Sequence, residues 1–229
     1  GSVIFGVKII AEALMKVIGR YNIHLKTSYA PIKIDSDKKI IYFKHTANNE
    51  NKCVINEDPQ LNEKSDGNGI MEIPFDFLHL APPQEAPAFV KNSSLVNAAG
   101  WLDVNINSMQ HNSYPNIFGL GDVAALPTAK TGAAIRKQVP VVVDNLIKLM
   151  NHQNANNNSY EGYSSCPLVT GYGEMVLAEF NYKNEFTPDP KLKQMLVFNS
   201  NKPHWRLWLL KKYMLPYLYW NKMLKGIKV

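Results

Sequence analysis

Tyr114-Pro115-Asn116-Ile117-Phe118-Gly119-Leu120-Gly121-Asp122-Val123 is the densest signal in the chain. Ile117 to Leu120 is a short apolar run, which predicts a buried strand ending in Gly-x-Gly-Asp. Such a strand delivers the chain to the carboxyl edge of a sheet, where α/β proteins bind ligands. Gly121 has no side chain, so backbone there can approach a bound group closely. Asp122 then places an acceptor where a sugar-type hydroxyl can donate to it. Further on, Thr131-Gly132-Ala133-Ala134 opens a helix predicted to reach Met150. Its first turn offers free backbone N–H groups and a positive dipole end. The plainer alternative is a strand and turn with Asp122 as a helix cap. The preceding Pro-Asn-Ile-Phe and the small-residue helix start weigh against it.

Working outward, the helix after Thr131 should present Ile135, Val139, Val142, Val143 and Leu146 as its apolar face, with a kink at Pro140. Toward the N-terminus, Val7 to Arg20 reads as an amphipathic helix, Ile23 to Lys26 as a strand, and Ile32 to Phe43 as a hairpin turning at Asp35-Ser36-Asp37. Residues 44 to 69 are polar and predict a long surface excursion that contains Cys53. Phe75 to Ala81 predicts a buried strand stopped by Pro82-Pro83, and Ala98 to Val104 a further sheet edge. Toward the C-terminus, residues 152 to 158 are a polar linker, residues 162 to 169 a loop carrying Cys166, and Met175 to Tyr182 a strand.

The 229 residues are 45% hydrophobic and 19% charged, an ordinary globular balance that excludes disorder and collagen-like repeats. Two cysteines exclude a disulfide-stapled scaffold and a Cys-rich metal site, and no metal site is expected. No run of 18 apolar residues occurs, so no spanning helix is expected, and no signal peptide opens the chain. The chain starts Gly1-Ser2-Val3 without Met, as an engineered start, a processed product or a fragment would.

The formal net charge of +6 is unevenly placed. Lys202, Arg206, Lys211, Lys212, Lys222, Lys225 and Lys228 lie in the last segment with no Asp or Glu, leaving the rest near neutral. This disfavours a chain-wide nucleic-acid surface. The same segment holds three of the four Trp, and Trp205, Trp208, Leu209, Tyr213, Tyr217 and Trp220 form an aromatic, apolar set flanked by cations. Such a composition suits a bilayer interface. Pro216 should divide it into two short helices. A helical pair packed only on the protein's own core is the alternative.

Gly-x-Gly-Asp followed by the Thr131 helix start resembles the second FAD-contacting motif of the flavoprotein reductases built from two dinucleotide folds. Ile4-Phe5-Gly6-Val7-Lys8, Gly121-Asp122-Val123, Thr128-Ala129-Lys130-Thr131, Ser165-Cys166-Pro167-Leu168-Val169-Thr170-Gly171-Tyr172 and Leu215-Pro216-Tyr217-Leu218-Tyr219-Trp220-Asn221 occur in that order. Together they resemble sulfide:quinone oxidoreductase over nearly the whole chain. The Cys166 block is the most specific element.

The resemblance implies an α/β fold: part of a two-dinucleotide-binding-domain, Rossmann-like flavoprotein with a C-terminal helical membrane-associating tail. Residues 1–97 would complete the second, NAD-type domain, 98–185 the FAD-binding domain, and 186–229 the tail. It implies FAD as cofactor, with Gly121, Asp122, Lys130, Thr131, Gly132, Ala133 and Ala134 around it. Lys130 would stabilise the reduced ring, and the helix start would face the ring's carbonyl edge. Cys166 would be the flavin-facing redox cysteine, needing a thiol pKa lowered by its surroundings. Trp205, Trp208, Leu209, Tyr213, Tyr217 and Trp220 would give access to a membrane quinone.

The implied partners are sulfide, a sulfur acceptor, ubiquinone or menaquinone, and a bacterial or mitochondrial inner-membrane surface. No Gly-x-Gly-x-x-Gly occurs and the family's second redox cysteine is absent, so the chain reads as the C-terminal half, with the N-terminal half of the same enzyme as a further partner. The nearest enzymatic alternatives are the flavin subunit of a flavocytochrome c sulfide dehydrogenase, which needs no aromatic basic tail, and a type II NADH:quinone reductase, which needs no Cys166-Pro167. A peripheral membrane-binding module is the non-enzymatic one.

Overall fold

The computed structural model describes residues 2–46, 58–155 and 160–227; Cys53 lies outside them. Two compact units emerge, one of residues 1–5 and 15–83, the other of residues 6–14 and 84–229. Helix α1 (Lys8–Arg20) begins in the second and ends in the first.

The first unit is built on a four-stranded antiparallel sheet of β1 (Tyr29–Asp35), β2 (Ile40–His45), β3 (Lys64–Ser65) and β4 (Ile70–Pro74), in the order β1-β2-β4-β3. The expected hairpin is β1–β2, its turn closed by Asp35 Oδ1 accepting from the Lys38 N–H at 3.0 Å. Alternation along β2 and β4 buries Ile41 and Met71.

Two expected strands fail for want of a partner. Residues 23–26 form none; Ile23 and Leu25 are exposed, while His24 pairs with Asp58 and Lys26 with the buried Glu63 at 2.7 Å. The strand expected over Phe75 to Ala81 lies five residues earlier, as β4. Its ladder ends where β2 begins, at Ile40 opposite Pro74, and Phe77 beyond it is 87% exposed.

The second unit holds α2 (Ala88–Lys91), α3 (Gly132–Met150), the antiparallel hairpin β5 (Ser164–Gly171) with β6 (Glu174–Phe180), α4 (Trp205–Leu209) and α5 (Leu215–Asn221). Residues 95–124 do not form the expected strands. They fold back on themselves through single bridges, Val96 to Leu102, Val104 to His111 and Gln110 to Phe118, plus one parallel bridge from Leu102 to Ala124. Both sheets among the described residues are antiparallel, and the chain is a mixed helix-and-sheet protein.

Helix α3 begins and ends as expected and runs unbroken through Pro140, but it buries a different face. Ala134, Gln138, Val141, Val142 and Asn145 point inward, whereas Val139, Val143, Leu146, Ile147 and Met150 are exposed. Buried polar groups decide the rotation: Asn145 donates to the Ser108 carbonyl at 2.9 Å, and Gln138 serves two partners described below. Counting apolar residues cannot see them.

The C-terminal segment is helical from Trp205 to Asn221, with a π-helical turn at Leu210–Met214 joining α4 to α5. Pro216 sits in the first turn of α5, as expected. Leu207 and Leu210 pack with Met175 and Leu177 of β6 and with Leu192 and Val197. The opposite side leaves Trp205, Leu209, Tyr213, Tyr217 and Trp220 exposed and Trp208 half-buried.

Candidate functional site

The Gly-x-Gly-Asp segment is shaped by two glycines at positions that disfavour a side chain. A Cβ on Gly119 would lie 2.1 Å from Leu102 Cδ2. Gly121 adopts φ +72°, left-handed backbone that favours glycine, and opens a 3-10 turn over Gly121–Val123. Ile117 to Leu120 is extended but carries only the Phe118 bridge, so the turn is not held by a sheet. The Leu102 N–H donates to its Val123 carbonyl at 3.0 Å, and side chains hold the rest. The Gly121 N–H donates to Gln138 Oε1 at 2.7 Å, and Lys130 Nζ donates to the carbonyls of Asp122 and, at 3.0 Å, Ala124.

Lys130 thus clamps the turn. Its ammonium also lies 3.8 Å from the centre of the Trp101 ring. Burial pushes its pKa down, with the Asp122 charge opposing. Asp122 itself is exposed.

Thr131 caps α3, its hydroxyl accepting from the Ala134 N–H at 3.2 Å. Nothing lies within 4 Å of where a Cβ on Gly132 would stand, and an α-helix leaves its first N–H groups without intrahelical partners. A small recess of about 10 Å³, room for about one water molecule, lies between this start and the turn, lined by Gly121, Thr128, Lys130, Thr131, Ala134 and Gln138 among others. It can border a bound group but does not enclose one.

Cys166 lies on a strand, not in the expected loop, opposite Ala178 of β6. Two contacts tie this strand to the helix start. The hydroxyls of Thr131 and Ser164 are 2.9 Å apart, and Ser164 Oγ donates to the Ala129 carbonyl at 3.1 Å. Thr128 Oγ1 donates to the Gly162 carbonyl at 3.0 Å. Alternation puts Ser164 and Cys166 on the same face of β5, about 7 Å apart along the strand. Cys166 therefore lies on the face of β5 whose Ser164 meets the start of α3. The thiol is free and half-buried. Burial pushes its pKa up rather than down, contrary to the sequence expectation.

Four residues that sequence reasoning passed over complete the surroundings. Gln138 Nε2 donates to Tyr160 Oη at 3.2 Å, and Tyr160 Oη donates to the Tyr163 carbonyl at 2.6 Å. Tyr163 Oη donates to Glu179 Oε1 at 2.6 Å, and Glu179 Oε2 accepts from the Asp189 N–H at 3.0 Å. Gln138 and Glu179 are each 2% exposed. Burial pushes the Glu179 carboxyl up, against the hydrogen bonds that favour its charge. Burial and the Glu179 partner push the Tyr163 phenol up. No sequence signal marked this chain of bonds, because Gln138 follows Arg136 and Lys137 and reads as part of a solvated face.

The aromatic set lies apart from this network, on the C-terminal segment. Among the described residues no helix is long and apolar enough to cross a membrane, and no cluster of metal-ligating side chains occurs.

No family model matches the chain. Mitochondrial sulfide:quinone oxidoreductase of Mus musculus is 35% identical over 223 residues, covering 97% of this chain and 44% of the relative. Those of Dictyostelium discoideum and Schizosaccharomyces pombe are 34% and 36% identical, covering 99% and 95% of this chain and 44% and 43% of the relatives. The chain spans under half the length of these relatives. A chain in the cryo-electron microscopy structure of the Tetrahymena thermophila mitochondrial ATP synthase F1Fo tetramer superposes with a TM-score of 0.67, at 23% identity, over 92% of this chain and 45% of that one. At that identity the likeness is one of fold. The resemblance carried by Gly121-Asp122 and the Cys166 segment thus holds along nearly the whole chain, which is a relative of the mitochondrial sulfide:quinone oxidoreductases.

Proposed function

We propose that this chain is the C-terminal portion of an FAD-dependent sulfide:quinone oxidoreductase attached to the face of a mitochondrial or bacterial inner membrane. The observation that carries the reading is the Thr131–Ser164 contact, which joins the flavin-type helix start to the strand of Cys166. Residues 1–97 would complete an NAD-type domain, 98–185 the FAD domain and 186–229 the membrane segment.

The residues present fit a flavin ring by its edge. Gly132 leaves open space at the helix start, and the first-turn N–H groups, which a helix leaves without intrahelical partners, suit an edge that gains negative charge. When bound, FAD would accept two electrons from sulfur and release them to a quinone. Asp122, exposed beside the turn, is placed to accept from a ribityl hydroxyl. Lys130 acts through the turn, which it holds by two carbonyls; its charge is shared with Trp101. Cys166 supplies the sulfur nucleophile. Because burial raises its pKa, the thiolate must be favoured by the neighbouring helix start or by the bound flavin. Trp205, Trp208, Leu209, Tyr213, Tyr217 and Trp220 would seat the segment in the lipid interface, from which a quinone is drawn.

The test is Cys166→Ser in the complete polypeptide that carries this chain. Sulfide-dependent quinone reduction should be lost while the flavin absorbance of the purified protein is retained. Turnover near the parent's would remove Cys166 from the reaction.

A further inference from the structure

β5 belongs to a two-stranded hairpin, so part of its backbone has no strand partner. The carbonyl of Pro167, the residue after Cys166, accepts a hydrogen bond from Lys211 Nζ at 2.9 Å, across 44 positions of sequence. Lys211 belongs to the π-helical turn Leu210–Met214. Such turns interrupt regular helix bonding and re-aim the side chains they carry, often at functional sites. The helix is anchored before Lys211 by Leu207 and Leu210, buried with Met175 and Leu177, and after it by Leu215, which packs against the same cluster. Its neighbour Lys212 behaves differently: it is exposed, with Nζ 4.6 Å from the Trp208 ring centre. Two adjacent lysines therefore do separate things, and only one reaches the cysteine strand.

Pairing along the hairpin separates its faces. Ser164, Cys166 and Ala178 share the face that meets the start of α3, while Met175 and Leu177 share the face that the C-terminal segment covers. The Lys211 bond reaches the backbone between those faces. It is a polar link from the C-terminal helices to the strand that bears the thiol.

We propose that Lys211 is a positioning residue for Cys166: by holding the Pro167 carbonyl it ties the C-terminal helical segment to the cysteine strand and limits how far the thiol opens to solvent. Its functional meaning rests on the reading of Cys166 as the reactive thiol, but its test needs no turnover, so the two can fail separately. Loss of the tie frees the strand edge locally, and the thiol meets reagents more often.

The test is the rate at which iodoacetamide alkylates Cys166 in the 229-residue chain bearing Cys53→Ser, followed by mass spectrometry. Lys211→Met, which keeps the stem and removes the donor, should react about threefold to tenfold faster. Lys211→Arg, which keeps a donor, should stay within about twofold of the parent, and so should Lys212→Met. Thermal melting and the near-ultraviolet circular dichroism of the tryptophans report whether the segment is still folded. An unchanged rate in Lys211→Met overturns the proposal, as does an equal rise in Lys212→Met or a failure of Arg to restore the parent's rate. Should Lys211→Met unfold the segment, Lys211→Gln replaces it, and a rate no faster than the parent's in that variant overturns the proposal equally.

Discussion

Helix α3 and the C-terminal helical segment both leave a long apolar stripe uncovered, and the two stripes are made of different side chains. On α3 the stripe is aliphatic: Val139, Val143, Leu146, Ile147 and Met150, with Ile147 53% exposed. On the C-terminal segment it is aromatic and basic: Trp205 at 56% and Trp220 at 64%, with Tyr213, Tyr217, Lys212 and Lys222 nearby. The buried sides differ in the opposite sense. α3 buries Gln138 and Asn145, while the C-terminal segment buries Leu207 and Leu210. A helix that turns polar groups inward holds the turn and loops beside it, and its aliphatic stripe suits burial against protein. One that turns leucines inward is packed for stability, and rings with polar tips and cations suit a boundary between water and lipid.

The contrast predicts first that the two stripes respond oppositely to lipid. Trp205→Ser with Trp220→Ser should cut binding to anionic vesicles by about 100-fold, as expected for two partly buried indoles at about 25 cal/mol per Å². Ile147→Lys on α3 should leave that binding unchanged. Equal losses from the two changes would erase the distinction, and flotation with vesicles measures both.

The next effect tests the polar interior of α3. Gln138→Leu leaves the Gly121 N–H without its acceptor and removes a donor to Tyr160, so it should cost about 1–3 kcal/mol in urea unfolding. No loss would mean that Gln138 is incidental to the turn.

The smallest effect concerns Glu179. Burial raises its folded pKa above the usual value, so its protonated form is favoured by folding. The resulting stability is complete below the unfolded pKa, about 4.3, and declines as pH rises through the folded value. Glu179→Gln should flatten that decline and change stability by less than about 1 kcal/mol at acid pH. A decline of unchanged steepness in unfolding curves would assign it to another group.

Several elements were legible in the sequence because their signals are local. The cap and extent of α3, the β1–β2 hairpin and the Pro216 helix start follow from capping, turn chemistry and proline geometry. The segment resemblance pointed to Gly121, Thr131 and Cys166; the fold joins Thr131 to Ser164, two residues before Cys166 on the same strand. The rest depended on partners far along the chain. Ile117 to Leu120 has the composition of a strand but no strand beside it. Cys166 reads as loop because Ser, Cys and Pro carry little strand propensity, yet Met175 to Phe180 supplies a ladder. The inward face of α3 was set by Gly121, Ser108 and Tyr160, residues whose proximity no periodicity encodes. Lys130 read as a cation for a cofactor, but the carbonyls of the neighbouring turn claim it.

Every residue of β6 from Met175 to Phe180 is buried. One side of the strand lies under the C-terminal helices, and its partner β5 brings the other side against the start of α3. Protection against amide exchange should follow from this enclosure. The aromatic helices can lift from one side while the ladder to β5 persists, so their amides exchange through a partial opening. Those of β6 have no such route, because freeing them exposes both layers at once. In a time course of deuterium uptake the hairpin would be the last part of this unit to label, and the strand of Cys166 would outlast the aromatic helices.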